Sequence, residues 1–178
     1  MSMSRRQFVA SIAAAVPALA LARQAFAASP LVSRSLTFLH THTGERLSVE
    51  YFSRGDYLPD ALATVNHYLR DFRTGEVHAI DPELLDLLHG LTRLTDTSRP
   101  FQVISGYRSP ATNAMLHQHS EGVAVNSLHM QGQAIDIRLA DVPLATLRSA
   151  ALAIGRGGVG YYPTSDFVHV DTGRVRTW

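Results

Sequence analysis

The sequence predicts a single α+β domain, an antiparallel sheet with helices packed on it. Segments with the two-residue alternation of strands are interspersed with segments of helical period. Two pairs of strand-like segments are separated only by turn residues, which is the pattern of hairpins. The 178 residues are 46% hydrophobic and 17% charged, enough for one ordinary core and too few for two.

The first residues read as an address. Arg5-Arg6-Gln7-Phe8 precedes an uncharged apolar run from Val9 to Leu21, and Ala25-Phe26-Ala27-Ala28 follows. A basic start, a short apolar stretch and a small-residue cleavage site make a signal peptide, expected to span residues 1–27. The apolar stretch is too short to cross a bilayer about 30 Å thick. The paired arginines suggest the twin-arginine route and hence a periplasmic location. Cleavage would leave residues 28–178 as the domain, with thirteen arginines against fifteen acids and a formal charge of −2. Such a chain has no general attraction for nucleic acid. No stable membrane insertion is expected after cleavage, and the mature domain is expected to be a monomer.

Residues 35–40 and 47–52 alternate as strands around Thr43-Gly44-Glu45 and predict a hairpin. Leu62, Val65 and Leu69 recur at helical spacing after Pro59-Asp60. Asp81-Pro82 starts a second helix that carries Leu84, Leu85, Leu88 and Leu91 on one face. Phe101 to Ile104 is a short strand, ended by the turn Ser105-Gly106-Tyr107-Arg108-Ser109-Pro110. A helix follows from Pro110 to His119, and residues 120–133, lacking an apolar period, read as a loop. Ala134 to Arg138 alternates as a strand with a helix from Pro143 to Ile154 behind it. Strands at 157–162 and 167–171 complete the chain, joined by a turn at Pro163-Thr164.

Cysteine is absent and all sixteen basic residues are arginine. Disulfides, cysteine catalysis and a lysine nucleophile are thereby excluded. Histidine, carboxylate, hydroxyl and arginine remain for chemistry. Asp136 sits between Ile135 and Ile137 in a half-buried strand, where a carboxylate needs a cation or several donors. His169 is flanked by Val168 and Val170, and His129 precedes a glycine turn able to return the chain beside Asp136. Two imidazoles and one carboxylate suit catalytic zinc, with a fourth position left for water. On chemistry alone the same residues also suit an ordinary buried polar role. His117 and His119 lie on nearly opposite sides of a helix and favour solvent, and Tyr107, Tyr161 and Tyr162 suit either a groove or ordinary packing.

Ser127-Leu128-His129-Met130-Gln131-Gly132-Gln133-Ala134-Ile135-Asp136, preceded by Ser105-Gly106-Tyr107-Arg108-Ser109 and followed by His169-Val170-Asp171, resembles the zinc peptidases that include the D-Ala-D-Ala carboxypeptidases. VanX dipeptidases and the hedgehog signalling domain share that fold. The sequence resembles more closely the MepK-type murein endopeptidases, through the twin-arginine start, Arg70-Asp71-Phe72-Arg73, Ile104-Ser105-Gly106-Tyr107-Arg108-Ser109, Gly157-Gly158-Val159-Gly160-Tyr161-Tyr162 and Phe167 to Gly173. The similarity runs from about Ser35 to Trp178.

That resemblance implies a hedgehog-like fold with a zinc site on the sheet, held by His129, Asp136 and His169. It implies that Arg108 faces the substrate carbonyl and that Asp166, three residues before the last ligand, is the general base. Regular strand alternation would turn Asp166 away from His169, so that role needs a turn or bulge between them. Asp171 suits either a turn or an acceptor that orients a ligand histidine. The implied substrate is the peptide stems of peptidoglycan, cut at cross-links between diaminopimelate residues or between D-alanine and diaminopimelate. The alternatives are a zinc carboxypeptidase or dipeptidase that trims stem peptides, and a non-catalytic wall-binding module.

Overall fold

The computed structural model describes residues 32–119 and 122–178, so the expected signal peptide lies outside the described residues. β1 (Arg34–His40) and β2 (Arg46–Ser53) pair antiparallel as the expected hairpin, and β3 (Asp56–Tyr57) extends it. α1 (Pro59–Tyr68) and α2 (Pro82–Thr95) follow. Asp81 caps α2 by accepting the Glu83 amide, as its place before Pro82 suggests. β4 (Phe101–Ser105), α3 (Pro110–His119), β5 (Ala134–Arg138) and α4 (Leu144–Ile154) come next. β6 (Gly158–Tyr162), β7 (Phe167–Asp171) and β8 (Arg176–Thr177) end the element order.

Among the described residues the strands form one sheet in the order β3-β2-β1-β4-β5-β7-β6-β8. The expectation of an antiparallel sheet is corrected: the sheet is mixed, with β1 parallel to β4 and β6 parallel to β8. The cause is connectivity. The long excursion through α1 and α2 allows β4 to return alongside β1 in the same direction, which a tight hairpin cannot do. β8 crosses from β7 to the far edge of β6 and so runs with β6. Both connections are invisible to strand periodicity.

The core lies between the sheet and the helices. Leu84, Leu85, Leu88 and Leu91 of α2 pack with Phe38, Phe101, Val103, Ile135, Ile137, Val168 and Val170, all nearly or fully buried. Alternation sends the intervening residues of the central strands to the opposite face. There Asp136 pairs with His169 across β5 and β7, His169 pairs with Gly160 across β7 and β6, and Ser105 pairs with Asp136 across β4 and β5. A register shift between Val103 and Ser105 brings Ser105 into this row.

The segment expected to be a loop contains a 3-10 turn, Leu128–Gln131, capped by Ser127. Gly132 closes it with φ +67, and a Cβ there would stand 2.0 Å from the Ala79 carbonyl oxygen. Only glycine combines that backbone with that approach. This turn brings His129 beside Asp136.

Candidate metal centre

His129, Asp136 and His169 converge although they come from a 3-10 turn and two strands. His129 Nε2 lies 3.2 Å from Asp136 Oδ1 and 3.2 Å from His169 Nδ1, and His169 Nδ1 lies 2.9 Å from Asp136 Oδ1. All three side chains are buried, and their ligand atoms could hold one metal ion. A tetrahedral ion with bonds of about 2.0–2.2 Å spaces its ligand atoms roughly 3.3–3.6 Å apart, so the triangle fits after a few tenths of an ångström of opening.

The outer ring nitrogens test the fit independently. His129 Nδ1 is 2.7 Å from the Gly106 carbonyl oxygen, which can only accept a hydrogen bond. His169 Nε2 is 3.1 Å from Asp171 Oδ2. Each imidazole therefore keeps a proton on its outer nitrogen and, whenever no proton occupies the inner one, turns a lone pair inward. Two such lone pairs and a carboxylate oxygen at hydrogen-bond distance repel one another unless a cation lies between them.

The electrostatics agree. Burial lowers the pKa of His129 and keeps its imidazole neutral. Burial also opposes charge on His169, but the hydrogen bonds to Asp136 and Asp171 outweigh it and raise the pKa to about 9. Burial of Asp136 is outweighed by His129 and His169, which hold its carboxyl well below the usual carboxylate range. The centre attracts positive charge.

The surrounding chain fixes these side chains. The His129 carbonyl accepts the Arg108 amide at 3.2 Å, so His129 is joined to the turn after β4 by both backbone and ring. Asp171 is fully buried and accepts from the Gly158 and Gly173 amides at 2.8 Å and from Arg176 at 2.7 Å. Asp71 accepts the Ser109 and Arg73 amides at 2.9 Å each, which anchors the segment carrying Arg108. Sequence reading missed that role, although Asp71 stands within the Arg70-Asp71-Phe72-Arg73 string.

Arg108 is buried beside the centre. One terminal nitrogen lies 3.3 Å from both Ser105 Oγ and Asp136 Oδ2, and Nε has no hydrogen-bond partner among the described residues. Its fork retains capacity for an incoming acceptor. Asp166 precedes β7 with φ 55 and is not among the residues that line the cleft over the centre, so the structure does not bring it to the three convergent side chains. Its carboxylate is 62% exposed and paired with Arg138 at 2.8 Å.

The centre floors a cleft of about 410 Å³. Val123, Ala124 and Leu128 line it together with Tyr162, Phe167 and Trp178, and Arg108 and Arg176 reach it as well. His117 and Asn113 hold the lining loop, His117 Nδ1 lying 2.6 Å from the Val123 carbonyl and Asn113 donating to the Ala124 carbonyl at 3.1 Å. His117 and His119 are exposed, as their positions on the helix suggest, and His117 also has a structural partner.

A convergent pair of imidazoles and a carboxylate beneath a peptide-sized cleft is the arrangement of a metallopeptidase. The comparisons with known proteins give the family. The family model for peptidoglycan L,D-endopeptidase MepK matches residues 28–178. Peptidoglycan L,D-endopeptidase MepK of Escherichia coli strain K12 is 44% identical over 176 residues, covering 98% of this chain and 97% of the relative. The probable peptidoglycan L,D-endopeptidase MepK of Haemophilus influenzae is 49% identical over 146 residues, covering 82% of this chain and 78% of the relative. The chain belongs to the MepK family of peptidoglycan endopeptidases.

Proposed function

We propose that the protein is a zinc-dependent peptidoglycan endopeptidase that hydrolyses peptide cross-links between diaminopimelate residues, and also those between D-alanine and diaminopimelate. The observation that carries this reading is the inward convergence of His129 Nε2, Asp136 Oδ1 and His169 Nδ1 in a chain of this family. Those three atoms would hold zinc, which supplies Lewis acidity toward the amide carbonyl and toward water.

The protein's own groups do the rest. Arg108, which lines the cleft beside the centre, donates to the carbonyl oxygen as negative charge develops there. Asp166 turns from Arg138 toward the centre and takes the proton of the attacking water, later passing it to the leaving amine. Asp171 keeps the His169 lone pair directed inward. The cleft suits an internal bond rather than a free terminus. Its other guanidinium, Arg176, is already paired with Asp171 at 2.7 Å, leaving no second free cation among the described lining residues for a terminal carboxylate.

The protein acts as a monomer in the periplasm, exported by the twin-arginine route with cleavage after Ala27. Among the described residues no helix is long and apolar enough to cross a membrane. Incubation with isolated sacculi, with and without chelator, followed by chromatography of the released muropeptides, tests the activity. Chelator-sensitive cleavage of cross-linked dimers is expected. Loss of terminal alanine from monomers alone would make it a carboxypeptidase, and intact muropeptides with retained wall binding would make it a binding module.

A further inference from the structure

Trp178 is the single tryptophan in the sequence and is 48% exposed, yet it is held firmly. Its indole N–H donates to the Tyr162 hydroxyl at 2.7 Å, and the Arg176 guanidinium lies 4.8 Å from its ring centre. Its backbone pairs with β6 through Tyr161 and Val159. Gly160 lies beneath it, where an added Cβ would stand 2.8–2.9 Å from three indole atoms. Gly160 is also the cross-strand neighbour of His169, so the missing side chain lets the indole lie 5.2 Å from that ring. Tyr162 continues the wall, stacked on Phe167 at 4.5 Å.

Two ordinary roles do not account for this placement. A residue that only closes the core would be buried, whereas this one lines the cleft. A residue that only orients His169 would bond its outer nitrogen, and Asp171 already does so. What remains is a rigid, half-exposed aromatic face beside the metal centre. Such faces bind apolar groups at low conformational cost.

We propose that Trp178, with Tyr162 and Phe167, forms the platform for the aliphatic side chain of the stem residue flanking the scissile amide, which makes Trp178 a specificity-determining residue. This rests on the peptidase reading of the cleft. The peptide lies with its carbonyl toward Arg108 and its methyl or methylene groups on the indole.

Zinc-loaded enzyme and soluble cross-linked muropeptide dimers test it. W178A should raise KM about tenfold or more, with kcat within about threefold and zinc stoichiometry unchanged, while W178F stays near wild type. In the unmodified enzyme, titration with the stem-peptide product should shift the tryptophan emission and saturate. Unchanged KM in W178A, or unchanged emission at peptide concentrations that inhibit turnover, overturns the proposal and leaves the peptidase reading intact. Zinc loss in W178A parallel to its loss of activity also overturns it, since Trp178 would then act through His169. A wild-type enzyme that cleaves no dimer overturns the peptidase reading and the proposal together. If W178A does not fold, the emission titration decides alone.

Discussion

His169 donates its Nε2 proton to Asp171 at 3.1 Å, and that bond turns Nδ1 toward Asp136 at 2.9 Å. Asp171 is itself fixed by two backbone amides and Arg176, so the orientation of the imidazole is set before any ion arrives. Replacing Asp171 with Asn weakens this acceptor and removes its charge while keeping its size. Zinc affinity should fall about 10–100-fold, as for other residues that support a ligand histidine. Competition against a chelator of known affinity measures it.

Asp166→Asn separates proton transfer from metal binding. The side chain is exposed and, among the described residues, is paired with Arg138, so the fold should tolerate the change. Zinc content should stay at one per chain while turnover falls roughly 10²–10⁴-fold, the range for a lost acid–base group. Near-normal turnover would remove Asp166 from the mechanism and leave the metal centre untouched.

Arg108→Lys keeps the charge and loses the planar fork. Arg108 lines the cleft, and lysine cannot reproduce the planar fork of donors that its guanidinium presents there. Hydrolysis should fall by about 10²–10³-fold in kcat, with zinc binding retained. Single-turnover assays on cross-linked dimers, alongside metal analysis, check both halves.

Asp71 gives a pH dependence. Burial by itself would raise its pKa, but hydrogen bonds from Thr112, Ser109 and Arg73 outweigh this and lower it to about 2. A depressed carboxyl stabilises the fold fully above the ordinary value of 3.8, and that contribution is lost as pH falls through about 2. Asp71→Asn should cost about 1–3 kcal/mol at neutral pH, since it removes a charged acceptor from buried amides. Thermal unfolding followed from pH 7 to 2 should show the wild-type midpoint converging on that of the variant in acid.

Legibility followed the range of the interactions. The ends of α3 and β7 match the segments read from Pro110-to-His119 and Phe167-to-Asp171 patterning, and Asp81-Pro82 marked the start of α2, because caps and alternation are local. The parallel pairing of β1 with β4 was not legible, since it depends on where two helices carry the chain. The 3-10 turn that carries His129 has no apolar period, although Gly132 signalled the return toward Asp136. At the site, the three convergent residues stood out as polar groups in apolar or turn contexts. Trp178 and Asp71 did not, because nothing in a sequence shows which glycine leaves room for an indole or which amides a distant carboxylate will reach.

The most direct measurement is anomalous diffraction at the zinc edge from crystals of the zinc-loaded protein. The expected result is one peak about 2.0–2.2 Å from His129 Nε2, Asp136 Oδ1 and His169 Nδ1, and its loss in Asp136→Ala together with all hydrolysis. A peak held by other residues, or none between these three in fully active enzyme, would contradict the account.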